Sequence, residues 1–168
     1  MEFIHHSLNW CKGEIFEGKL SLLFGLIILI VGLSYLKWGT TVYGKAMIWP
    51  LIAVAALAMG VGIYLISINS KRIVDYQTQF AENPTEFVQS EKSRTESFIS
   101  WYPKTQKILF AIMLVGMLGM VFSRDGLIRA VGIGLMLLAL YGFVLDHFSE
   151  ERAAIYHKGI IEHLTEYK

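Results

Sequence analysis

The chain has 168 residues, of which 54% are hydrophobic and only 17% are charged, and its formal net charge is +1. Soluble domains carry about 25% charged residues, so this composition indicates a protein whose solvent is lipid. The small net charge argues against nucleic-acid binding, and a single cysteine, Cys11, excludes an intrachain disulfide.

The first eighteen residues predict a short amphipathic helix. Phe3, Ile4, Leu8 and Cys11 share one face at helical spacing, and polar residues lie away from it. Such a pattern is typical of a helix that lies in the membrane interface. Cys11 fits this face as a small apolar residue.

Four apolar segments follow, and a helix needs about 20 apolar residues to cross the hydrocarbon core of a membrane. The third segment is short, but Pro103 can occupy the first turn of its helix, and Lys104 and Lys107 can extend to the headgroups. Four transmembrane helices are therefore predicted, at residues 20–36, 46–68, 108–122 and 126–148.

The predicted fold is an all-α integral membrane protein with one four-helix membrane domain. After the interfacial helix (1–18), hairpin 1 occupies residues 19–68, cytoplasmic helices 69–102, hairpin 2 residues 103–148, and a C-terminal cytoplasmic helix 149–168. A middle helix starts where Asn83 can cap, with Pro84 in the first turn and Glu86 at the third position.

The two halves of the chain resemble each other. Each has a polar helix with a tryptophan near its end, then a hairpin that opens with "LLFG" or "ILFA". This favours a tandem repeat with a pseudo-twofold axis along the membrane normal, although apolar sequences also resemble each other by chance.

The distribution of basic residues predicts the orientation. Of the fifteen Lys and Arg residues, eleven lie in residues 1–19, 69–107 and 149–168, and four lie in the two hairpin connections. The positive-inside rule therefore predicts that both termini lie in the cytoplasm. The predicted location is a bacterial inner membrane, which the chain would cross several times.

Polar residues gather where the fourth segment ends, and they are the candidate metal ligands. His147 and Glu151 are four apart on a helix, a spacing at which they can share a metal ion, but a site needs three or more ligands. The further candidates are Glu150, His157 and Glu91, with His5, His6 or His163 able to complete a set.

In the alternative interpretation, this cluster marks the point where the fourth helix leaves the membrane. Neither proline nor glycine lies between Gly142 and Gly159, which predicts an unbroken helix. Asp146 would then lie at headgroup level, and Glu150 or Glu151 would form ion pairs with Lys71, Arg72 or Arg94. Structural ion-pair networks are as common as sites, so this structural interpretation is preferred.

The sequence gives no enzyme signature and no cofactor-binding motif, and the first three apolar segments have no ionisable residue at mid-depth. The leading hypothesis is a non-enzymatic structural or accessory protein that contacts lipid, self-associates and presents cytoplasmic helices to a cytoplasmic or membrane protein partner. An oligomeric pore and a membrane enzyme or metal binder are the alternatives.

Overall fold

The computed structural model describes residues 2–166 and consists of α-helices joined by short connections. The helices are α1 (Glu2–Trp38), α2 (Val42–Ala46), α3 (Ile48–Glu82), α4 (Pro84–Ile99), α5 (Tyr102–Phe122) and α6 (Gly126–Glu166). Four spans within this set are long and apolar enough to cross a membrane. The all-α fold with four such helices is confirmed at this level.

Local capping explains where several helices begin. The Asn83 side chain accepts a hydrogen bond from the Glu86 backbone N–H at 3.2 Å and donates one to Glu86 Oε2 at 3.0 Å. Pro84 occupies the first turn of α4, so the predicted start signal is confirmed. Asp125 Oδ1 accepts from the backbone N–H groups of Leu127 and Ile128 and thereby caps α6. The short helix α2 was not predicted.

Helix α6 runs without interruption from Gly126 to Glu166, which confirms the predicted continuity. Its 41 residues correspond to about 60 Å at 1.5 Å per residue. The hydrocarbon core is about 30 Å thick. About half of α6 therefore extends beyond any membrane that it crosses.

The helix predicted over residues 1–18 is not a separate element in the described part of the chain, and its place at a membrane interface stays a prediction. That segment and the first apolar segment form one continuous helix, α1. The apolar face of its first turns is buried against other helices, where Phe3, Trp10 and Cys11 belong to one cluster. An amphipathic face predicts burial, and here the burial is in a protein core rather than in a membrane surface.

The apolar parts of the chain pack as two pairs of helices. The most extensive contacts join α1 to α3 and α5 to α6. Glycines allow both approaches: a Cβ added at Gly62 would lie 2.6 Å from the Gly18 carbonyl oxygen, and one at Gly116 would lie 2.6 Å from the Gly132 carbonyl oxygen. The pseudo-twofold relation between the two halves stays a prediction.

The main cluster of buried apolar side chains lies outside the four apolar segments. We call this part the head and define it as residues 2–18, 69–101 and 149–166. Its core brings together the N-terminal end of α1, the C-terminal ends of α3 and α6, and all of α4. Aromatic side chains dominate the cluster, with Tyr102 of α5 at its edge: Phe3, Trp10, Cys11, Tyr76, Phe87, Val88, Tyr102, Ala153, Tyr156 and Ile160.

Candidate functional site

A buried carboxylate, Glu91 of α4, lies at the centre of the head. The residue is 3% exposed, and Arg94 one turn later donates two hydrogen bonds to its oxygens, each at 2.7 Å. Tyr156 of α6 donates a third at 2.7 Å. Burial alone would raise the pKa of Glu91, but the hydrogen bonds from Arg94 and Tyr156 outweigh it and lower the pKa. Glu91 is therefore a paired, ionised group that ties α4 to α6.

The same tyrosine extends this network to the first helix. Tyr156 Oη lies 2.9 Å from Ser7 Oγ of α1, and both residues are buried. The Tyr156 ring stacks on Trp10 with ring centroids 5.4 Å apart and on Phe3 at 6.4 Å, and Phe3 also contacts Phe87 edge to face. Cys11 is fully buried in this core, where burial raises the pKa of its thiol to about 11. A thiol in this state is inert, as expected for a small apolar residue.

A second network, the Arg152 triad, joins α6 to α1 where the head meets the apolar segments. Arg152 Nη2 lies 2.8 Å from Glu14 Oε1, and Nη1 lies 2.7 Å from Glu17 Oε1. Both glutamates are buried, at 7% and 5% exposure. The guanidinium group also lies over the Trp10 ring, 5.8 Å from its centroid. Two acids and one arginine leave this triad with a formal charge of −1.

Beyond the triad, polar contacts continue one turn into the apolar part of the molecule. Ser21 Oγ donates to the Ala58 carbonyl oxygen at 2.7 Å and is also hydrogen-bonded to Tyr141 Oη. Phe24 stacks on the Tyr141 ring at 4.9 Å. These contacts line an apolar groove of about 260 Å³ between α1 and α6.

The candidate metal ligands are not brought together. His147 and Glu151 are exposed on α6, and Glu150 accepts a hydrogen bond from Gln106 Nε2 at 2.8 Å. His157 lies 3.4 Å from Glu96, and Glu91 is occupied by Arg94 and Tyr156. Within residues 2–166 no group of three or more His, Cys, Asp or Glu side chains is arranged to hold a metal ion.

The predicted ion pairs of Glu150 and Glu151 with Lys71, Arg72 or Arg94 are wrong. Arg94 pairs with Glu91 on its own helix, and Arg72 donates to Asn69 Oδ1 at 3.2 Å, also on its own helix. Partners three residues apart on one helix are preferred over partners on another helix, because they need no tertiary alignment. The long-range ionic contact is made instead by Arg152, through a face of α6 that the prediction did not consider.

The third polar feature is a cavity of about 310 Å³ at the junction of the head and the apolar segments, which we call the junction cavity. Helices α1, α3, α4, α5 and α6 all contribute to its wall. Trp10, Asn69, Arg72 and Asp146 line it, and the exposed ring of Trp101 lies at its edge. Trp10 Nε1 and Asp146 Oδ2 are buried atoms that have no hydrogen-bond partner in the described part of the chain.

Sequence reasoning missed the Arg152 triad, although a signal for it was present. Glu14 and Glu17 are three apart, on one helix face, directly before an apolar segment. Arg152 lies a similar number of residues after another apolar segment. Antiparallel packing of the two helices therefore brings the three charged side chains together. Acids placed at the edge of lipid require a partner of opposite charge.

The fold and these networks define an all-helical protein with four helices long and apolar enough to cross a membrane and a polar, aromatic head. Comparisons with protein-family models, with curated proteins and with solved structures found no match to this chain.

Proposed function

We propose that this chain is a non-enzymatic structural or accessory protein of a bacterial inner membrane, which crosses the membrane four times and presents its head to a protein partner in the cytoplasm. The observation that supports this proposal is the use of the buried polar groups in the head. Glu14 and Glu17 are held by Arg152 of α6, and Glu91 is held by Arg94 and by Tyr156 of α6, so these carboxylates fix helices instead of facing a substrate. A rigid head of this kind suits recognition by another protein.

The surface of the head offers a site for such contact. A groove of about 500 Å³ runs between α4 and α6, with a mixed lining that includes Gln89, Ser93, Ile161 and Thr165. Mixed polar and apolar lining is typical of interfaces that form and dissociate. We assign the partner contact to this groove.

Self-association is assigned to α5. This helix packs mainly against α6. In the most apolar 18-residue stretch of its candidate membrane span, only 6% of the residues are buried. Phe110, Val115 and Phe122 are 64%, 60% and 78% exposed. Such a face contacts either lipid or a second copy of the chain, and packing between helices in lipid depends on close van der Waals fit.

Site-specific photo-crosslinking in cells tests this proposal. A photoreactive residue at Gln89 or Ser93 should give a discrete adduct with one other protein, whereas the same residue at Thr40, in the connection before α2, should not. The residue at Val115 should give an adduct of twice the chain mass. Reporters placed at Asn83 and after residue 168 should both be active in the cytoplasm.

The outcomes that contradict the proposal correspond to the other two classes. Ion or solute flux through liposomes that contain the purified protein would indicate a pore. A stoichiometric bound metal that is lost in both His147→Ala and Glu151→Ala would indicate a metal binder. Equal adducts from Gln89 and Thr40 would show that the head has no specific partner.

A further inference from the structure

We propose that the junction cavity binds a small zwitterionic group, in which a primary ammonium is joined by a short linker to a phosphate or carboxylate. Arg72 would bind the anionic part, and Asp146 would bind the ammonium. This inference is independent of the protein partner proposed for the head.

The charges that line the cavity indicate this chemistry. Four charged side chains contribute to its wall: Glu14, Arg72, Arg94 and Asp146. Glu14 is paired with Arg152, and Arg94 is paired with Glu91. Arg72 and Asp146 differ from them, because within residues 2–166 neither has an oppositely charged side chain at ion-pair distance. The cavity therefore offers one unmatched cation and one unmatched carboxylate.

The geometry of the two unmatched groups excludes the simplest explanation, which is that they neutralise each other. Arg72 belongs to α3 and donates to Asn69, and Asp146 belongs to α6. Both are partly buried and line the same space of about 310 Å³ without forming a salt bridge. Partly buried charges that lack partners are costly, and a ligand that carries both signs satisfies the two at once.

Further features of the wall favour an amphipathic source for this ligand. Trp10 is 6% exposed and contributes an aromatic surface to the wall. The exposed rings of Tyr64 and Trp101 lie at the edge of the cavity. Aromatic residues of this kind gather at the level of lipid headgroups. The headgroup of an aminophospholipid, an ethanolamine phosphate, has both required charges and would arrive at this level.

The test measures binding of short-chain lipids to the full-length protein in detergent by native mass spectrometry. Dihexanoyl phosphatidylethanolamine supplies phosphate and ammonium, and dihexanoyl phosphatidylglycerol supplies the phosphate alone. We expect the ethanolamine lipid to bind about tenfold more tightly, since a charge-assisted hydrogen bond contributes about that factor. Phosphoethanolamine and glycine, added as water-soluble compounds, distinguish a free zwitterion from a lipid: binding as tight as that of the lipid would identify the free compound as the source.

Two substitutions separate the roles of the two charges. Asp146→Asn should remove the preference, so that both lipids bind with similar affinity. Arg72→Gln should weaken both lipids about tenfold and keep their ratio. The matched controls are Glu151→Gln and Lys71→Gln, which change exposed charges on the same two helices and should leave both affinities unchanged.

Equal binding of the two lipids to the unaltered protein would overturn the proposal, and this result does not depend on any variant being folded. A preference that persists in Asp146→Asn would also overturn it, because the ammonium would then be recognised elsewhere. Equal effects of Lys71→Gln and Arg72→Gln would show that only the general positive charge of the surface attracts lipid.

Discussion

Replacing Arg152 with methionine tests whether the Arg152 triad holds α1 against α6. The change removes the guanidinium that contacts both Glu14 and Glu17 and leaves two carboxylates whose side chains are 9% and 6% exposed. A stranded carboxylate can take up a proton, which at pH 7 costs at most about 4 kcal/mol for a glutamate of ordinary pKa. Breaking a buried pair from one side costs about 3–5 kcal/mol. We expect Arg152→Met to lower the free energy of unfolding by about 3–5 kcal/mol.

Reversible unfolding of the detergent-solubilised protein, followed by circular dichroism, measures this loss. Lys158→Met is the control, because Lys158 pairs with Glu162 on the exposed surface of the same helix, at 78% and 63% exposure. It should lose less than about 1 kcal/mol. The triple variant Arg152→Met, Glu14→Gln, Glu17→Gln should regain most of the stability. A loss for Arg152→Met as small as that of Lys158→Met would refute the reasoning.

Three further predictions concern packing, reactivity and the head. Gly62→Ala should destabilise the protein by about 2 kcal/mol, because the new Cβ would meet a backbone oxygen of the facing helix at 2.6 Å. Gly60→Ala, on the same helix but facing open space, should be neutral or stabilising in the same unfolding assay. Cys11 should react with maleimide only after unfolding, because it is fully buried and the pKa of its thiol is raised to about 11. Labelling is measured by mass spectrometry, and a labelled folded protein would contradict this prediction. Tyr156→Phe should cost about 1–3 kcal/mol of unfolding free energy because the Glu91 carboxylate loses a buried donor, and an unchanged midpoint would show that the bond contributes nothing.

The features that the sequence predicted correctly depend on neighbours along the chain. Helix length and apolarity follow from composition, and the start of α4 follows from Asn83, Pro84 and Glu86, which interact within one turn. The continuity of α6 follows from the absence of proline and glycine between Gly142 and Gly159. Each of these is a local property, so no knowledge of tertiary packing is required.

The incorrect predictions concern partners that are distant in the sequence. An amphipathic face at residues 3–11 could be buried against lipid or against protein, and periodicity alone does not distinguish the two. In the same way, acids near the end of α6 indicate that some cation is close, but the pairing depends on how the helices are rotated and shifted. Arg152 points towards α1, and Arg72 remains with Asn69 on its own helix.

The networks in the head have a consequence for how the protein is made. Tyr156 and Ser7, which lie 2.9 Å apart, are separated by 149 positions in the chain. The triad spans a similar separation, because Arg152 and Glu14 are 138 positions apart. Contacts between such distant segments form late, since the loop between them must close first.

During synthesis the first turns of α1 emerge before every one of their α6 partners. Glu14 and Glu17 therefore lack their Arg152 partner, and Trp10 lacks Tyr156, until nearly the whole chain has left the ribosome. An early intermediate with unpaired acids and an incomplete aromatic core is prone to aggregation. We expect a polypeptide that stops before Arg152 and Tyr156 to retain its apolar helices but to leave Glu14, Glu17 and Trp10 without these partners.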